Sequence, residues 1–270
     1  MSNTRILYVA SEINPFLEIS HVAEFVKKLP QVMQEKGMEI RILVPRFGLI
    51  NERRNRLHEV VRLSGINIEV GNEEKPLIIK VASIPAAKLQ VYFIDNEDYF
   101  KRKHVFHDKN DEFYEDNDER AIFFCKGVLE TVKKLGWVPD IVHCNDWMTG
   151  LIPLYLKTTY KNDPIFEKAK SIFSIYGNKF EDKFSSDIVS KALNTDVSEE
   201  MLKGLSSADY HGFMQIGIEN ADVVINSNEE ADEKIKALCD LAAKEKTVDT
   251  ITVSEESLET YYDLYTDLVK

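Results

Sequence analysis

Apolar residues along this chain alternate between short continuous runs and helix-spaced stripes. Residues 5–10 form an apolar run of strand length, and residues 11–20 a loop containing Pro15. From about His21, the residues Val22, Phe25, Val26, Leu29, Val32 and Met33 recur at helical spacing, up to a stop at Gly37. Residues 39–44 give a second strand, ended by Pro45. The chain therefore opens with a β-α-β unit, which calls for a parallel sheet and a right-handed crossover. Residues 58–63, 66–70, 77–81 and 89–94 read as strands joined by short turns, a β-rich insertion before the sheet resumes. Residues 100–118 read as a polar surface loop, 119–135 as a helix, 141–143 as a strand and 148–157 as a helix. A strand at 171–176, short helical pieces at 188–193 and 198–205, and a helix at 213–219 follow. The last strand is read at 222–226, and helices at 228–244 and 254–270 close the chain. This rhythm specifies an α/β fold, a doubly wound Rossmann-like parallel sheet with a β-rich insertion.

Residues 1–235 read as one domain and 236–270 as a helical tail. On the tail, Leu258, Tyr261, Tyr262, Leu264 and Leu268 follow a helical pattern that needs a surface, on the chain's own domain or on a partner. At 270 residues, with 44% hydrophobic and 30% charged residues, the composition is that of a globular protein. The formal net charge of -12 argues against nucleic acid, which would select a basic footprint, and disfavours an anionic membrane surface. The cysteines Cys125, Cys144 and Cys239 show no paired spacing, so neither a disulfide framework nor a zinc motif is expected. The N-terminal residues lead straight into a strand without a signal-peptide pattern, and no apolar run reaches membrane-spanning length. A cytoplasmic location is the simplest expectation.

The chemistry concentrates where Ile141-Val142 gives way to His143, Asn145 and Asp146, followed by Trp147 and Gly150. In open α/β sheets ligands bind at the carboxyl ends of strands. Asp146 is a candidate to accept a hydrogen bond from a substrate hydroxyl; alternatively it caps the helix starting near Met148, with His143 a packed strand-end residue. Tyr176 and Asn178, beyond the next strand, could line the same cleft. No Gly-x-Gly-x-x-Gly or Walker loop follows the first strand, and Ser20 reads as the N-cap of the first helix. His104 and His107 lie near Asp108 and Asp111 in what reads as a solvated loop, and His211 has no evident partner. No metal site, no cofactor and no nucleophilic triad is expected.

Five segments together resemble the N-terminal domain of bacterial glycogen synthases and plant starch synthases. They are residues 6–12 with Pro15-Phe16, Tyr92 to Asn96 with Tyr99-Phe100, Asp116 to Arg120 with Phe123-Phe124, the 139–151 segment, and Asn220 to Ser227. They occur in family order and cover roughly residues 4–235. The resemblance implies one half of a GT-B glycosyltransferase fold, whose N-terminal domain holds the acceptor α-1,4-glucan and whose C-terminal domain holds most of the ADP-glucose contacts. That second domain is expected to be absent from this chain.

The departures are specific. Where the family carries a Lys-x-Gly-Gly loop against the nucleotide sugar, this chain has Glu18, Ser20 and His21, a degenerate donor loop. The acidic residue of the following helix is kept in kind as Glu24. In the family's His-x-His-Asp-Trp motif, His143, Asp146 and Trp147 persist, while Asn145 replaces the second His. Tyr176 stands where the family has a His thought to contact the transferring sugar. By family equivalence, then, Asp146, Glu24 and Tyr176 occupy catalytic positions, and His143, Asn145, Asp146, Trp147 and Asn178 substrate-binding ones. The reading is a degenerate, glucan-binding or accessory domain without transferase activity of its own. Its alternatives are half of a split ADP-glucose-dependent synthase completed by another chain, and a protein-interaction module with no sugar ligand. A full-length synthase or a separate second domain is the implied protein partner.

Overall fold

The computed structural model describes residues 3–228 and 230–270. The helix read from residue 228 crosses position 229, and the N-terminal reading includes Met1 and Ser2; these positions lie outside the described residues. Strands β1 (Arg5–Val9) and β2 (Glu39–Pro45) flank helix α1 (Val22–Glu35). The insertion holds α2 (Glu52–Asn55), β3 (His58–Glu59), β4 (Ile66–Val70), β5 (Glu73–Ile84), β6 (Leu89–Asp95) and α3 (Glu97–Phe100). Then follow α4 (Asn117–Leu135), β7 (Ile141–Asn145), α5 (Ile152–Lys157), β8 (Lys170–Ile175), α6 (Ile188–Ala192), α7 (Tyr210–Asn220) and β9 (Val223–Asn226). Helix α8 (Glu233–Ala242), β10 (Thr247–Thr250) and α9 (Ser257–Leu268) end the chain.

The strand order is β10-β9-β8-β7-β1-β2-β6-β5-β3, with β4 hydrogen-bonded to β5. From β10 to β6 every pairing is parallel; β5 pairs antiparallel with β6, β3 and β4. The sheet is thus mixed, its parallel part being the doubly wound core. The central strand β7 is buried at every residue, as a parallel strand covered on both faces must be. One face packs α4, α5, α7 and α8 against Leu7, Val9, Val142 and Phe173. The other packs α1 and α9 against Ile6, Tyr8, Ile172 and Ile225. Gly136 closes α4 at φ 65, a left-handed position where a side chain would be strained.

Four readings of the sequence change in the structure. Between residues 58 and 63 the strand is only His58–Glu59. The 100–118 loop is no free surface loop: Phe106 and Phe113 pack against the core, and Arg120, fully buried, donates to the Val105 carbonyl at 2.7 Å. Strand β10 escapes the pattern because Thr247–Thr250 is short, polar and at most half-buried. The helix read at 148–157 is broken into a 3-10 turn, Trp147–Thr149, and α5.

That break coincides with a close contact, since a Cβ on Gly150 would lie 2.5 Å from the Phe213 carbonyl oxygen of α7. Backbone cannot yield as a side-chain tip can, so Gly150→Ala is expected to destabilise the domain by about 1–3 kcal/mol. Urea unfolding checks this; an unchanged midpoint would show that the turn does not press on α7.

Candidate functional site

The chain leaves β1 toward β2 on one side, and β7 returns to pair on the other. The crevice outside β1 and β7 is therefore the topological switch point, where ligands bind in such sheets. Its walls are the loops that follow β1, β7 and β8.

The loop after β1 is tied down by Glu12, which is buried. Its carboxylate accepts from the Ile19 amide at 2.5 Å, the Ser20 amide at 2.8 Å and the Ser20 hydroxyl at 2.6 Å. Ser20 Oγ in turn accepts from Asn178 Nδ2 at 3.2 Å, which joins this loop to the one after β8. Ser20 is not the N-cap: that position is His21, in helical conformation, although Ser20 Oγ does accept from the Val22 amide at 3.2 Å. Glu18 and His21 are exposed on the same loop.

Asp146 stands at the tip of β7 with φ 65 and ψ -179, a region that glycine adopts and other residues enter only under strain. It is buried, its side chain makes no cap, and Oδ1 has no hydrogen-bond partner. Burial pushes its carboxyl up to about 7, against the opposing pull of the Trp147 amide and Asn178, with the charge of Glu12 adding to the rise. The switch point therefore carries one oxygen of a buried carboxyl without a partner, on a strained backbone.

The other site residues read from the sequence divide into three groups. Asn145 is a clip: Nδ2 donates to the Val9 and His143 carbonyls at 2.9 and 3.1 Å, and Oδ1 accepts from the Tyr176 hydroxyl at 2.7 Å. Tyr176 is buried against Phe25 and held by that bond, with its hydroxyl proton retained by burial well above the usual range. His143 lies under α9, away from the crevice. Its Nδ1 meets the Tyr265 hydroxyl at 2.7 Å and its Nε2 the Ser174 hydroxyl at 2.7 Å, and burial lowers its pKa to about 3. Trp147 is buried among Phe106, Phe180, Phe184 and Phe213 and presents no face to a ligand. Glu24 is exposed on α1, where Asn14 and Lys27 hold its carboxyl below the usual range.

The sequence reading missed the role of Glu12 and the Ser20–Asn178 link. A lone glutamate directly after the first strand was the available signal. His211, which had no evident partner, pairs with Asp232 at 2.7 Å, and His107 meets Asp182 at 3.1 Å. Among the described residues no group of three or more His, Cys, Asp or Glu side chains could hold a metal ion, and no helix is long and apolar enough to cross a membrane.

This arrangement has known relatives. The family model for the starch synthase catalytic domain matches residues 5–239. The chain belongs to that family. It is 40% identical over 235 residues to a glycogen synthase of Chlorobium luteolum, covering 86% of this chain and 47% of the relative. A glycogen synthase of Chlorobium limicola is 38% identical over 227 residues, covering 84% of this chain and 46% of the relative. This starch synthase-type domain thus spans about half the length of the curated relatives it matches. Its fold superposes on the catalytic domain of Starch Synthase IV from Arabidopsis thaliana, bound to ADP and acarbose, with a TM-score of 0.74 at 17% identity. That match covers 92% of this chain and 52% of the other, so the described sheet is the fold of about half a GT-B catalytic domain.

Proposed function

We propose that this starch synthase-type domain binds an α-1,4-glucan at the β1/β7 crevice and does not transfer glucose by itself, acting as an accessory module in glycogen metabolism in the cytoplasm. The observation that carries the reading is Asp146, whose Oδ1 is buried and unpartnered in a strained backbone. A neutral sugar hydroxyl donates to such an oxygen. A diphosphate cannot, and the carboxylates of Glu12 and Glu18 on the same loop would repel it. Asn178 and Ser20 supply the neutral donors and acceptors beside it. Three unpaired, buried cysteines fit a reducing compartment.

Calorimetric titration tests the reading. Maltoheptaose should bind, and Asp146→Asn should weaken it roughly 10- to 100-fold, the worth of one hydrogen bond to a charged group. ADP-glucose should give no heat. Binding of ADP-glucose as tight as that of the glucan, or no maltoheptaose binding at about 10 mM, corresponding to roughly -3 kcal/mol, would overturn it.

One observation favours a second reading, half of a split ADP-glucose-dependent synthase. Glu24 stays ionised and exposed on α1, where a second domain supplied by another chain could use it. Glucose transfer in lysate that survives Asp146→Ala would remove that reading. The interaction-module alternative loses its main support, because Leu258 and Tyr261 of α9 are buried on this chain's own domain.

A further inference from the structure

A cavity of about 410 Å³ opens at the amino ends of β8 and β9, on the edge of the sheet opposite the crevice. Lys157, the last residue of α5, lines it together with Lys161, Lys168 and Lys170. Two carboxylates share the wall, Glu167 and Asp222. The second is already engaged: its Oδ2 accepts from the Ser171 amide and hydroxyl, both at 2.8 Å. Among the described residues, Lys157 reaches Asp222 Oδ1 at 3.7 Å, while Lys161, Lys168 and Lys170 form no ion pair. Asp163, on the same turn, pairs instead with Lys133 of α4 at 3.2 Å.

Unpaired ammonium groups gathered around one cavity run against the chain's net charge of -12. Charges of one sign around a concave wall focus the potential inward. That potential reaches Lys246, which donates to the Ile218, Glu219 and Ala221 carbonyls and whose pKa is lowered by burial and then by the charge of Lys157. The backbone that carries the lysines is fixed. The Lys161 amide donates to the Thr158 carbonyl, Phe166 to Asp163 and Ala169 to Phe166, and Tyr160 packs edge-on to Phe166 at 5.5 Å. Little backbone order therefore has to be gained on binding.

With four ammonium groups against two carboxylates, the wall has positive charge in excess. Leu156, Phe166 and Ala169 supply an apolar patch beside it. A phosphate monoester carries about 1.5 to 2 negative charges at neutral pH and ends in three strong acceptor oxygens, and its ester group can cover the apolar patch. The volume lies within the range of roughly 300–1,000 Å³ typical of small-molecule sites. A nucleotide sugar offers no such end, since both sides of its diphosphate carry substituents.

We propose that this cavity binds a small phosphate monoester, its phosphate among Lys157, Lys161, Lys168 and Lys170. The site does not depend on what the crevice binds.

Calorimetric titration of the full chain tests this in about 0.1 M salt, where the screening length is roughly 10 Å. Phenyl phosphate is the probe, and benzoate, with the same ring and a single charge, is its control. Phenyl phosphate should bind, with benzoate at least about tenfold weaker. The double variant Lys161→Gln, Lys168→Gln should weaken phenyl phosphate roughly tenfold or more, the worth of charge-assisted contacts to a phosphate. The double variant Lys103→Gln, Lys109→Gln removes two exposed lysines elsewhere and should leave binding unchanged. Melting curves confirm that each variant folds. No binding of phenyl phosphate at about 10 mM overturns the proposal, as does an equal loss in both double variants, which would report net charge alone. Benzoate as tight as phenyl phosphate overturns it too, because the apolar patch would then be the whole site. Sedimentation provides the last check: a dimer that dissociates only in the Lys161→Gln, Lys168→Gln variant, without phenyl phosphate binding, would make this face an interface between copies instead.

Discussion

Asp146→Asn is expected to melt higher than the native chain at pH 8, by an amount on the order of 10 °C, and to lose that advantage as the pH is lowered to about 4. The native carboxyl is raised from 3.8 to about 7 by burial. The folded state therefore holds the proton more tightly than the unfolded state does. Stability falls as pH rises from the unfolded pKa to the folded one, and the full penalty stands above pH 7. The span corresponds to about 4 kcal/mol, and at this chain length each kcal/mol moves the melting point by roughly 2–4 °C. The neutral amide never incurs this penalty. Asp146→Gly should gain as well, with a component independent of pH, because glycine relieves the φ 65, ψ -179 backbone, a strain of about 1–3 kcal/mol. Differential scanning calorimetry from pH 4 to 8 separates the two parts. If the Asn variant's advantage is the same at both ends, the carboxyl is not held neutral by burial. If the Gly variant shows no pH-independent gain, the backbone is not strained. A residue kept where it weakens the fold is retained for binding, so both variants should also bind maltoheptaose more weakly.

The contrast between what the sequence disclosed and what it concealed follows from interaction range. The opening β-α-β unit and the Ile141-Val142 start of β7 were legible because parallel strands buried on both faces favour apolar runs. Position Asp146 was legible as a polar residue at a strand end. Its left-handed φ was not, since nothing local distinguishes a strained aspartate from one that caps a helix. His143 and Trp147 were read as cleft residues through the family motif they share. The period-2 alternation of β7 sends His143 toward α9, while Trp147 meets phenylalanines from three distant segments, contacts that no short window contains. The apolar stripe of the tail was visible, but its docking surface, α1 and the face of β7 to β9, is set by topology. Each crossover from β7 to β10 places its helix on the opposite face, so this part of the sheet is left for a chain end to cover.

That cover makes Tyr265 the most sensitive residue of the tail. Tyr8 donates to the Tyr265 hydroxyl at 3.1 Å, so Tyr265 donates to His143 Nδ1 and the His143 Nε2 proton goes to Ser174. Tyr265→Phe removes the centre of this chain and leaves a buried imidazole nitrogen without a donor, at a cost of about 1–3 kcal/mol. Tyr265→Ala also opens a cavity beneath α9 and should cost about 3–5 kcal/mol. The histidine reports the difference. In the native chain burial keeps His143 neutral down to about pH 3, so the stability it contributes is lost only as pH falls from the usual 6.5 toward 3. In Tyr265→Ala water reaches the ring, and its titration, followed by the imidazole proton resonances, should move up toward 6.5. Tyr265→Phe keeps the ring covered and should leave the titration low while lowering the melting point. If Tyr265→Ala leaves both the melting point and the His143 titration unchanged, α9 does not seal this face. The crevice loops anchored through Asn145 and Tyr176 on the same strands would then have to be held by something else.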